Sequence, residues 1–117
     1  MAHGALLRKN FFTAEELIHI VQDFRHAGLA DEEVAVMAFA QKVTSDASEV
    51  SREDMDELRR YGMSDEEILD IVLACAARNF FSKTLDGLNA TPDEAYLNLE
   101  PELVKALSLG RPFPQAG

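Results

Sequence analysis

A chain of 117 residues that is 47% hydrophobic has the length and apolar content of one packed domain. Its 11 Lys and Arg stand against 21 Asp and Glu, a net charge of −10. That balance argues against a nucleic-acid backbone or an anionic membrane as partner, since both require a basic face. A single cysteine, Cys75, excludes a disulfide framework and a four-cysteine zinc site, and it fits a reducing compartment, the cytoplasm. The apolar run over residues 71–77 is too short to cross a bilayer, and no secretory signal is expected at the N-terminus.

The first segment, MAHGALLRKN, holds good helix formers from residue 3 to residue 9 but no capping residue before its first turn. Asn10, the first candidate cap, stands where the segment is already ending. The segment reads as the tail of a helix whose start is missing. Thr13 then pairs with Glu16 as a capping box, with Phe12 and Leu17 placed as its hydrophobic staple, and opens a helix over 14–27 that Gly28 closes. Its Leu17, Ile20, Val21 and Phe24 recur at helical spacing.

Asp31 is placed to cap a helix over 32–44, where Val36, Phe39, Ala40 and Val43 repeat that spacing. Ser51 with Asp54 is a weaker box, stapled by Val50 and Met55, for a helix over 52–61 that Gly62 stops. Ser64 with Glu67 repeats the full box, with Met63 and Ile68 as staple, for a helix over 65–88. Thr91, Pro92 and Glu94 mark a short helical turn near 92–98. A last one near 101–108 ends at Gly110. No stretch alternates with a period of two for long enough to make a strand. The expectation is an all-α protein with one domain over 1–110 and a C-terminal arm or disordered tail over 111–117, where two prolines break any helical pattern.

Residues 68–77, ILDIVLACAA, are apolar nearly all round the helix. Such a helix is covered on most sides, so it is central in the fold or lies in a subunit interface. A chain this short has few helices to surround it, which favours a contribution from an interface.

Few side chains propose chemistry. Cys75 sits among apolar neighbours, a setting that blunts a thiol, and it reads as a small core residue. His19 and His26 lie seven apart, too far along one helix for a shared metal ion. They read as surface or cap-proximal imidazoles. The acidic clusters Asp31-Glu32-Glu33, Glu53-Asp54-Asp56-Glu57 and Asp65-Glu66-Glu67 stand at helix N-termini, where the helix dipole accounts for them. Asn79, Lys83 and Asp86 follow the apolar run. Asn79 either lines a pocket or makes a helix–helix hydrogen bond, and the second is favoured because buried polar groups find partners. No metal and no cofactor is expected.

Several motifs occur together in order. His3-Gly4-Ala5-Leu6-Leu7-Arg8 is followed by VMAFAQKVTSDASEV over 36–50 and by REDMDELRRYGMSDEEILDIVL over 52–73. Asn79-Phe80 then precede Leu85-Asp86-Gly87-Leu88. This order resembles the alkylhydroperoxidase D-like proteins of the carboxymuconolactone decarboxylase superfamily, in particular the peroxidase-related branch. The match begins at the histidine of that branch's Cys-x-Tyr-Cys-x-x-x-His motif and covers nearly the whole chain. The resemblance implies an N-terminally incomplete helical bundle that packs as a homo-oligomer, whether dimer, trimer or hexamer.

It also implies an antioxidant thiol peroxidase acting on small hydroperoxides. In that chemistry one cysteine thiolate attacks the peroxide, and its sulfenic acid condenses with a second cysteine. By resemblance His3 takes the catalytic position of proton relay. Both catalytic cysteines, which in the family stand four and seven residues before that histidine, are absent here, and Cys75 matches neither. The chain is therefore expected to be inactive alone, with a hydroperoxide as substrate only in a longer form. Two alternatives stand beside this: a non-catalytic helical oligomerisation or binding module, and a lactone decarboxylase-like acid/base enzyme using His3.

Overall fold

A computed structural model of the chain describes residues 2–108. All regular structure among them is helical: six α-helices and three short 3-10 turns, with no strand. The expected closing residue Gly110 and the expected arm over 111–117 lie outside the described residues. The described residues form two compact units, one from residues 2–28 and 89–108 and the other from residues 29–88.

In the first unit α1 (Ala2–Asn10) and α2 (Ala14–Asp23) come from the N-terminal part, and α6 (Pro101–Leu107) returns from the C-terminal part. The Thr13 box forms in full. The Glu16 backbone N–H donates to Thr13 Oγ1 at 3.2 Å, and the Thr13 N–H donates to Glu16 Oε2 at 2.8 Å. The Thr13 N–H, followed by the Thr13 hydroxyl, holds the Glu16 carboxyl below the usual glutamate range. Just inside α2, Leu17 is buried; α2 packs on α6, whose Leu103 is wholly enclosed. Burying each leucine contributes about 1.5–3 kcal/mol.

The helix expected over 14–27 is shorter. It stops at Asp23 and continues as a 3-10 turn over Phe24–His26. The cause is local: Asp23 Oδ1 accepts from the Arg25 N–H at 3.1 Å, offering the backbone an alternative to the helical ladder. Gly28 follows with φ +75°, the left-handed conformation that suits glycine. Near the other end, the start expected at Thr91 is displaced. Asp93, not Thr91, caps the 3-10 turn Glu94–Asn98, accepting from the Ala95 N–H at 2.8 Å.

The second unit holds α3 (Asp31–Ser45), a 3-10 turn over Ala47–Glu49, α4 (Arg52–Arg60) and α5 (Asp65–Gly87). Asp31 does not cap α3. Ala30 takes the cap position, its N–H donates to Glu33 Oε2 at 3.0 Å, and Asp31 begins the first turn. The box expected to be weaker, Ser51 with Asp54, forms completely. At Ser64 only half forms: its Oγ accepts from the Glu67 N–H at 3.1 Å, while the Glu67 carboxylate returns to the Ser64 hydroxyl rather than to its backbone.

The unit's core gathers Phe39 from α3, Leu58 from α4 and Ile68 from α5, with Val50, Met55 and Met63 packed against them. Those three are the expected staple residues around the starts of α4 and α5, so the chain's entry into each helix is fixed by the core itself. The turn between the two helices is a Schellman motif. The Gly62 N–H donates to the Arg59 carbonyl at 2.9 Å, and the Met63 N–H donates to the Leu58 carbonyl at 3.3 Å. Gly62 has φ +85°, which only glycine adopts without strain.

The apolar stretch of α5 is not covered on most sides by its own unit. Ile68 is buried and Ile71, Val72 and Cys75 are half-buried on the side facing α3, but Leu69, Leu73, Ala76 and Ala77 are exposed.

Candidate functional site

His3 stands in the first turn of α1 with its side chain exposed. The next residue points inward: Gly4 is buried, and a Cβ built on it would lie 2.6 and 2.8 Å from the two methyls of Leu107. Glycine is what allows α1 to approach α6 this closely. One turn further, Arg8 reaches Glu100, the N-cap of α6, with Nε 2.8 Å from Oε1. This guanidinium holds the Glu100 carboxyl below the usual glutamate range. The segment from His3 to Arg8 thus contains one exposed imidazole and two residues that fasten α1 to α6.

Cys75 belongs to the other unit. It lies half-buried on α5 with Sγ 4.0 Å from the Ala40 carbonyl oxygen of α3. It is half-buried beside α3 rather than a member of the core cluster expected from the sequence.

The remaining candidates are spread apart. His19 is exposed on α2. His26 is also exposed, its Nδ1 2.6 Å from Asp23 Oδ2, beside the end of α2; this contact, together with the Arg25 N–H, lowers the Asp23 pKa. Among the described residues no group of three or more His, Cys, Asp or Glu side chains converges on a possible metal position. Asn79 is half-buried on α5, but among the described residues it makes no helix–helix hydrogen bond. Lys83 and Asp86 are exposed.

Asp31-Glu32-Glu33, Glu53-Asp54 and Asp65-Glu66-Glu67 occupy the first turns of α3, α4 and α5, as the dipole argument requires, while Asp56 and Glu57 lie a turn further along α4. One member does more. Asp54 accepts from Lys42 Nζ at 2.6 Å and from the Ser51 N–H at 2.8 Å, tying α3 to the start of α4. Led by the Lys42 bond, these contacts hold its pKa down to about 2. The adjoining charges are also paired, Arg59 with both Asp56 and Asp65, and Arg60 with Glu57.

Sequence reasoning did not find the Arg8–Glu100 and Lys42–Asp54 pairs. The first joins positions 92 apart. No local pattern carries such a signal. The chain was compared with family models, curated proteins and solved structures, and nothing matches in any of the three.

Proposed function

We propose that the chain is a helical module of the alkylhydroperoxidase D-like kind that has no thiol-peroxidase chemistry of its own and associates with further copies of itself in the cytoplasm. One observation carries the reading: the chemistry needs two thiols, and the chain holds one. Reduction of a hydroperoxide by this route breaks the O–O bond as a thiolate sulfur takes one oxygen, releasing an alcohol. A second thiol then displaces water from the sulfenic acid to form a disulfide. Cys75 has no second thiol to complete the step, and it is packed against α3. His3 takes the relay position by resemblance, yet α1 contains no sulfur for it to serve. Gly4 and Arg8 of the motif seat α1 against α6, which supports the scaffold reading. A small hydroperoxide is a substrate only for a longer form that supplies the cysteine pair.

The test is hydroperoxide consumption by the purified chain with dithiothreitol as reductant. The expected rate equals that of the protein-free blank, and Cys75→Ser leaves it unchanged. Turnover above the blank that disappears in Cys75→Ser overturns the reading.

A further inference from the structure

The outer side of α5 carries more exposed apolar surface than any other helix. Leu69, Leu73 and Phe80 are 55%, 56% and 68% exposed and fall at i, i+4 and i+11, with Ala76 and Ala77 between them. Phe81, Leu85 and Leu88 form an adjoining row at i, i+4 and i+7, also more than half exposed. The Phe80 and Phe81 rings meet edge to face with centroids 5.6 Å apart. These side chains lie on the side of the helix away from Ile68 and Val72, which belong to the core of the unit. Given ~150–250 Å² for a fully buried aromatic and somewhat less for a leucine, the six present on the order of 700 Å². A patch this large marks an interaction surface.

The pattern along the helix identifies the occupant. The first half of α5 is acidic, with Asp65, Glu66, Glu67 and Asp70; the second half carries Arg78 and Lys83 with Asp86. A parallel neighbour would stack acidic turns on acidic turns. An antiparallel copy sets the acidic half against the net basic half and opposes the two helix dipoles. A two-fold axis between Ala76 and Ala77 places Leu73 of one copy at the level of Phe80 of the other, on the same face of the helix. The smallest side chains then sit where the helices come closest. A face that matches itself on rotation is what an isologous pair requires.

We propose that the outer face of α5 binds α5 of a second copy of this chain, antiparallel, with the two-fold axis at Ala76 and Ala77. This rests on the self-association in the reading above and specifies its face and direction.

The experiment uses the full chain. Light scattering after size exclusion is expected to give a species of twice the 13.0 kDa chain mass, and Leu73→Glu to give the single-chain mass with its helical circular dichroism intact. Direction is read by disulfide trapping in a Cys75→Ser background. Ala77→Cys, near the axis, is expected to cross-link between copies. Leu69→Cys is not, because antiparallel pairing separates the two copies of that residue by roughly 20 Å at about 1.5 Å per residue. A monomer at every concentration overturns both the face and the self-association. An oligomer that survives Leu73→Glu overturns the face alone, and efficient cross-linking of Leu69→Cys overturns the direction. Should Leu73→Glu lose its helicity, Phe80→Gln takes its place. It is expected to weaken the pair at least tenfold; a pair left as tight as in the wild type overturns the face.

Discussion

Arg8 and Glu100 stand 92 positions apart, yet the guanidinium Nε and one terminal nitrogen both donate to a single carboxylate oxygen, Oε1. Both side chains are still more than a third exposed. The pair therefore acts less as a source of global stability than as a latch that sets α1 against the start of α6. Replacing Arg8 by Met is expected to accelerate hydrogen exchange of the α1 amides several-fold while barely moving the global unfolding midpoint. The sign with pH follows from the lowered Glu100 pKa. The contribution is whole above the ordinary value of 4.5 and fades as the pH falls below it. Protection of the α1 amides, taken relative to their intrinsic exchange rates, should accordingly fall on acidification in the wild type and stay flat in Arg8→Met.

Gly4 gives a sharper steric test. A valine there drives its side chain into Leu107, whose methyls already lie within 3 Å of the first added carbon. The expected loss is about 1–3 kcal/mol, typical of overpacking. Adding Leu107→Ala should return part of it, and urea unfolding of the two single variants and the double variant measures the coupling.

Asp54 makes a pH-dependent contribution to the second unit. Its folded pKa of about 2 lies below the ordinary 3.8, so its bonds to Lys42 and Ser51 stabilise fully above 3.8 and are lost as the pH falls through about 2. Urea midpoints measured from pH 5 down to pH 2 should drop less steeply in Asp54→Asn than in the wild type. In Lys42→Met, a carbon-detected titration should find the Asp54 carboxyl closer to its ordinary value.

Two glycines on neighbouring helices should respond in opposite directions. Gly62, at φ +85° in the Schellman turn, is expected to lose about 1–2 kcal/mol on replacement by Ala, from the left-handed backbone alone. Gly87 lies in the last turn of α5 with open space around it, so Gly87→Ala should gain up to about 1 kcal/mol. Thermal unfolding of both variants checks the pair of signs.

Leu58 is the best-enclosed member of its cluster, 1% exposed between Phe39 and Ile68. Leu58→Ala should lose about 2–5 kcal/mol. If chemical denaturation finds less than 1 kcal/mol, the cluster is not the core of its unit.

α2, α4 and α5 were legible in the chain because each carries its own boundary chemistry within a few residues, whereas α1 has no cap of its own and α3 is not capped by Asp31. Thr13 with Glu16, Ser51 with Asp54, Ser64 with Glu67 and Gly62 act through backbone groups they reach locally, so their effect needs no knowledge of the rest of the molecule. The early end of α2 at Asp23 and the displaced cap at Asp93 escaped because short carboxylates compete with the backbone in ways that spacing does not rank. The apolar run of α5 was visible, but not which side faced α3. Periodicity reports how many apolar residues a helix has, and only packing against Phe39 and Leu58 decides which of them are covered. The candidate site was readable only as far as His3, Gly4 and Arg8. That Gly4 is an inward contact with Leu107 and that Arg8 serves Glu100 were decided by tertiary structure, because both depend on α6 coming back from the far end of the chain. Sequence by itself determined the helices, several of their ends and the want of a second thiol. Their partners were settled by long-range packing, whose energies belong to no single stretch of residues.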